Sequence, residues 1–178
     1  LELMLDNASG PDGDKITEDA IAVAIEVALA NLARYGVYED VPAENAKGKK
    51  HVTTRFENQW RWNEEANDWV VKARFVAREF KWQEWIEDAF APGSSHTHSR
   101  VVDFLALKEE AMTFELDISD AYYNAEEDEE VYVDPPKPYL AKLAAQGTST
   151  DIMWRLRKQL PGRRRAGQRW VQHFARVL

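Results

Sequence analysis

Cysteine is absent from all 178 residues, which excludes disulfides and thiolate metal sites and suits a reducing compartment. Long apolar runs are missing as well. None approaches the roughly 20 residues that a membrane-spanning helix requires, and the few residues of 1–5 are too short for a signal peptide. The expectation is a soluble, intracellular protein, cytoplasmic or nuclear, with no membrane partner. Internal repeats are lacking too. What is present, 44% apolar residues and 7 Trp, suffices for the core of one ordinary domain with room for a smaller lobe. The chain opens on Leu1 and stops on Leu178 inside an apolar periodic stretch, the pattern expected of a segment.

Charge is scarce in one sign or the other depending on where one looks. Residues 1–46 hold ten acids against Lys15 and Arg34, whereas 152–178 contain no acid but Arg155, Arg157, Lys158, Arg163, Arg164, Arg165, Arg169 and Arg176. A net charge of −8 therefore hides a strong separation. Two readings stand side by side: a basic block that neutralises phosphates, with Trp154 and Trp170 to pack or stack, and a basic face paired with the acidic half of the same chain.

Residues 6–15 combine Gly, Pro, Asn and Asp into a loop, after which Thr17 is an N-cap and Ile21, Ile25, Leu29 and Leu32 recur at helical spacing up to Gly36. Strands are predicted over 51–56 and 69–80 around a turn at 63–68, with Lys72, Arg74 and Arg78 on one face and Ala73 and Phe75 on the other. A cationic ribbon of this kind can hold a polyphosphate or simply be solvated. A helix is predicted from Ser99, a strand over 113–118, and a short extended piece at 129–136 that Pro135 and Pro136 end. A helix at 138–145, a strand at 151–160 and a last helix at 166–178 complete a mixed α+β order. His96 and His98 are two residues apart in a Ser/Gly-rich loop without Cys, so no metal role is expected of them. Trp60, Trp62, Trp69, Trp82 and Trp85 are expected chiefly in the core.

The most informative stretch is LDISDAYYN at 116–124, where Asp117 ends the predicted strand and Asp120, Ala121 and two aromatics follow. An acid at the end of a strand is held rigidly by the ladder while its side chain faces a cleft, a geometry suited to a metal ligand. The plainer reading is a strand running into a solvated turn.

Several blocks, in order, resemble the reverse transcriptase of copia-type LTR retrotransposons. KARFVAREF at 72–80 resembles KARLVARGF, FAP at 90–92 resembles TFAPV, and SR at 99–100 with LAL at 105–107 resembles IR-x-LLAL. LDISDAYYNA at 116–125 resembles LDVKTAFLNG, EEVYVDPP at 129–136 resembles EEVYMxQPP, and QLPGRRRAGQRW at 159–170 resembles ALYGLKQAPRAW. Collinearity over 47–178 makes weak blocks strong together. The resemblance implies a right-hand polymerase architecture, with an acidic linker and helix at 1–46 followed by the fingers and the first part of the palm at 47–178. It implies Asp117 as the first catalytic carboxylate, a ligand of two Mg²⁺ ions, with the Ile118 carbonyl also touching metal. It implies Lys72, Arg74 and Arg78 on the triphosphate of a deoxynucleotide, Tyr122 under the sugar next to Asp120 and Ala121, and Gly162 beside the nascent base pair. An RNA/DNA template-primer and the rest of a retrotransposon polyprotein, with integrase and ribonuclease H regions, would be the partners.

The departures are specific. Glu79 stands where the family pattern has glycine, Arg163 and Arg165 where it has leucine and glutamine, Pro161 for a tyrosine, Tyr123 for a leucine and Ala125 for a glycine. No Asp-Asp dipeptide occurs in the chain, so the second carboxylate source of the family's palm is absent from it, and one aspartate cannot hold two hard octahedral cations. The expectation is a polymerase segment, truncated before the Asp-Asp hairpin and inactive alone. The alternatives are a non-catalytic nucleic-acid-binding relic of such a polymerase and an interaction module built on the acidic run at 126–130.

Overall fold

Thr17 opens the first helix by accepting a hydrogen bond from the Ala20 N–H at 3.3 Å, and Glu18 and Asp19 complement the positive end of the helix dipole. This helix, α1 (Glu18–Arg34), buries Ile21, Ala24, Ile25, Ala28, Leu29 and Leu32, one stripe at helical spacing. Gly36, at φ +61°, takes the left-handed turn that ends it. The structure is a computed structural model and describes residues 15–80, 96–114 and 117–178. The linker at 6–14, the FAP block, Trp82 and Trp85 lie outside the described residues.

Two sheets follow. β1 (Tyr38–Pro42), β6 (Ile152–Leu156), β5 (Val131–Val133) and β2 (Lys50–His51) form one in that order, antiparallel except for β2 beside β5. β3 (Thr54–Asn63) and β4 (Asp68–Ala77) form the other, a long antiparallel ribbon in which Phe56 faces Phe75 and Trp62 faces Trp69. Asn63 shapes its turn, since its side-chain oxygen accepts the N–H groups of Glu65 and Ala66 at 3.0 and 3.2 Å. Helices α2 (His96–Lys108), α3 (Lys137–Ala145) and α4 (Ala166–Val177) complete the mixed α/β fold.

One apolar core joins the stripe of α1 to Ala73, Phe75 and Ala77 of β4, Val131 and Val133 of β5, and Trp154 of β6. Residues on both sides of position 46 share it. Trp154 is its centre, stacked on Tyr38 at 3.6 Å between ring centroids and met edge-on by Tyr139 at 4.9 Å and Phe75 at 5.7 Å.

Three sequence expectations need correction. Of the strand predicted over 113–118, the described residues Thr113, Phe114, Asp117 and Ile118 lie outside any ladder, and Glu115 and Leu116 lie outside the described residues. A strand needs a neighbour to take its hydrogen bonds, and neither described sheet includes any of these four residues. Helix α2 begins at His96 rather than Ser99, so the HTH triplet is helical and not a loop. Trp62 and Trp69 are 48% and 40% exposed, packed on each other across the ribbon at 5.9 Å instead of in the core.

Candidate active-site cleft

Alternation along β4 sorts its side chains by face: Ala73, Phe75 and Ala77 are buried in the core, while Lys72 is exposed and Arg74 half-buried on the other side. Arg78 follows directly, its N–H donating to the Thr53 carbonyl at 2.7 Å and its guanidinium lying 5.6 Å from the centre of the Phe80 ring. The antiparallel register puts Gln59 opposite Lys72, Glu57 opposite Arg74 and Arg55 opposite Val76. Arg55, Lys72, Arg74 and Arg78 thus come together on one side of the ribbon. Among the described residues, none of Lys72, Arg74 and Arg78 has a carboxylate within ion-pair distance.

Facing them is the segment that begins at Asp117. Asp120 adopts φ 51°, ψ 39°, the left-handed region that aspartate tolerates better than most side chains, and opens a single 3₁₀ turn at Ala121–Asn124. Its carbonyl accepts the Tyr123 N–H at 2.9 Å and the Asn124 side-chain amide at 3.4 Å. The turn drives Tyr123 inward against Tyr35, with ring centroids 5.6 Å apart, and leaves Tyr122 half-exposed. Burial pushes the Tyr123 hydroxyl well above the ordinary phenol range; the Asp120 charge adds to this and Arg74 opposes it. One hydroxyl therefore feels both walls of the cleft.

Gly162 closes one end. Its φ is +84°, and a Cβ there would sit 2.1 Å from the Ala77 carbonyl oxygen. Beside it the Pro161 carbonyl accepts the Ala77 N–H at 2.7 Å. The absence of a side chain at 162 is thus required by the close approach of β4, a reason internal to the fold.

Behind the cleft lies a buried ion cluster that the sequence did not reveal. Arg163 is 1% exposed and reaches Glu79 at 2.8 Å, Glu127 at 3.0 Å and Glu129 at 2.9 Å, of which Glu79 and Glu127 are 5% and 0% exposed. Glu79 also takes Lys50 at 3.0 Å and the Arg164 N–H at 2.8 Å. Burial by itself would raise the Glu79 and Glu129 carboxyls, but the hydrogen bonds and charges of their partners outweigh it: Glu79 lies below its usual range, and Glu129, bound by Lys50 and Arg163, falls to about 2. The acid at 79 and the arginine at 163, both departures from the family pattern, thus answer each other. The glutamate's charge is turned away from the cleft it borders.

The same accounting resolves the basic block. Arg155 and Arg157 pair with Glu39, Lys158 with Glu126, Arg165 with Asp128 and Glu129, and Arg169 with Asp128. Arg155 and Arg157 thus serve the acidic N-terminal part of the chain, and the run at 126–130 is the counter-ion of Lys158, Arg165 and Arg169.

Lys72, Arg74, Arg78, Asp117, Ile118, Asp120, Ala121, Tyr122 and Gly162 all line a single cleft of about 700 Å³. Every residue nominated from the sequence is therefore at one place, brought from three separate segments. Arg55, Glu57 and Glu79 line it too and had not been singled out as site residues, although alternation along β3 puts Arg55 and Glu57 on one face. Among the described residues no group of three His, Asp or Glu side chains stands together to hold a metal ion, so the described donors by themselves do not make a two-metal site. A mixed α/β protein with a cationic ribbon across a cleft from an acidic turn is the class so defined. The family model described as reverse transcriptase (RNA-dependent DNA polymerase) matches residues 35–178, and the chain belongs to that family. No curated protein and no solved structure matches the chain. Among the described residues, no helix is long and apolar enough to cross a membrane.

Proposed function

We propose that the chain is the fingers and the N-terminal part of the palm of a copia-type retrotransposon reverse transcriptase, and that its cleft receives the deoxynucleotide at the end of a template-primer. The observation that carries this reading is the meeting of Lys72, Arg74 and Arg78 with Asp117, Asp120 and Tyr122 around one opening. Guanidinium and ammonium groups that have no carboxylate partner among the described residues are natural ligands of a triphosphate. The Tyr122 ring, half-exposed at the rim, would lie under the sugar and disfavour a 2′-hydroxyl. Asp117 would hold the developing charge's counter-ion only in company with carboxylates that this chain lacks, so no nucleotidyl transfer is derived for it alone. In the complete polyprotein the reaction would be template-directed nucleotide addition.

The relic reading would draw on the basic block as well as the ribbon, and in that block Arg155, Arg157, Lys158, Arg165 and Arg169 already have carboxylate partners. Binding of a deoxynucleoside triphosphate, measured calorimetrically at low salt without divalent metal, tests the proposal. Arg74→Gln should weaken it about tenfold, as expected for loss of a charge-assisted contact, and leave the circular dichroism unchanged. Unchanged affinity in that variant would refute the assignment of the ribbon, and primer extension by the isolated chain would refute its predicted inactivity. An Asp-Asp hairpin encoded downstream of Leu178 would favour the enzyme over the relic.

A further inference from the structure

Among the β3 and β4 residues that line the cleft the one acid is Glu57, and it is already engaged. Glu57 accepts from the Arg55 guanidinium twice, at 3.1 Å from Nε and 2.5 Å from Nη2, although the register places it directly opposite Arg74. Both partners are substantially exposed, at 46% for Arg55 and 31% for Glu57. Both line the cleft. Such a pair contributes little to folding and is weakly held, because water competes for each charge.

We propose that Arg55 is a fourth polyphosphate ligand of the cleft and that Glu57 is its resting counter-ion, exchanged for phosphate when the ligand enters. The inference rests on the polyphosphate reading given above and deepens it. A phosphate group offers a guanidinium the same two-point geometry as a carboxylate with more charge, so the exchange runs toward phosphate once Lys72, Arg74 and Arg78 have drawn it in. Glu57 then loses its partner beside an anion. That cost sets the affinity of the site and keeps the ribbon's cations from retaining anions indiscriminately.

Inorganic tripolyphosphate in metal-free, low-salt buffer is the probe, titrated into the wild-type chain and into R74Q, R55Q, E57Q and the double variant R55Q/E57Q, with circular dichroism to verify folding. Arg55→Gln is expected to weaken binding and Glu57→Gln to tighten it, each by about three- to tenfold. In the R55Q background the gain from Glu57→Gln should shrink to less than about twofold, because the counter-ion has nothing left to release. An equal gain with and without Arg55 would show Glu57 to be a simple repulsive charge and overturn the exchange. Unchanged affinity in R55Q and E57Q alongside weakened binding in R74Q would overturn this inference and leave the reading of the cleft standing. No binding by the wild-type chain would overturn both.

Discussion

The ribbon face and the cluster around Arg163 are made from the same two groups, guanidinium and carboxylate, yet they are opposites in use. In the cluster the charges are buried and mutually satisfied, with Arg163 and Glu127 at 1% and 0% exposure. On the ribbon Lys72, Arg74 and Arg78 face an open cleft and form no ion pair among the described residues. Burial decides the difference. A charge removed from water must carry its partners with it, so the cluster is part of the fold, whereas a charge left in water can wait for a ligand.

The sharpest way to break this contrast is to remove the hub. Arg163→Leu leaves the buried Glu127 without its cation, takes one partner each from Glu79 and Glu129, and should cost about 3–5 kcal/mol of stability in urea denaturation. Adding Glu79→Gln to it should return part of that loss, whereas additivity of the two changes would deny their coupling. Gly162→Ala, between the two regions, meets the Ala77 carbonyl at a positive φ; a loss of about 2–4 kcal/mol is expected by thermal melting. The ribbon should respond in the reverse manner: Lys72→Gln with Arg74→Gln ought to abolish most triphosphate binding while shifting stability by no more than about 0.5 kcal/mol.

Acid sharpens the comparison further. Because the Glu129 carboxyl is depressed to about 2 in the fold, its contribution is fully present above the unfolded value near 4.5 and is lost as pH falls toward 2. Glu129→Gln should therefore flatten the acid limb of the stability profile between about pH 4.5 and 2, and leave the slope above pH 6 untouched. The smallest effect belongs to the exposed pair: Glu57→Gln should alter the melting temperature by less than about 2 °C, read in the same scans.

Local signals carried much of this molecule. The helical stripe from Ile21 to Leu32 and the alternation from Lys72 to Phe75 are periodicities, and both elements appear where the pattern puts them. The cleft was legible only through motif resemblance, since nothing in composition says that residue 74 will meet residue 117. At 113–118 the described residues pair with no ladder, because alternation reports a tendency while a strand exists only where a neighbour completes its hydrogen bonds. The Arg163 cluster was invisible for a related reason: three acids and an arginine distributed over 79–163 look like surface charge until the fold brings them together. Read singly, Glu79 and Arg163 are two unrelated departures from the family pattern; in the fold they are one ion pair.

The hydrogen bond from the Ala77 amide to the Pro161 carbonyl anchors the ribbon at its root, and the contact with Gly162 leaves no slack there. Eight residue pairs away along the ladder, Trp62 and Trp69 touch each other near the open tip. A two-stranded beam clamped at one end bends most at the other, so small flexing at the base is magnified outward. Amide exchange should run slowest at Ala77 and quicken toward the tryptophans, giving the hairpin the mechanics of a cantilever whose fulcrum is set by one glycine.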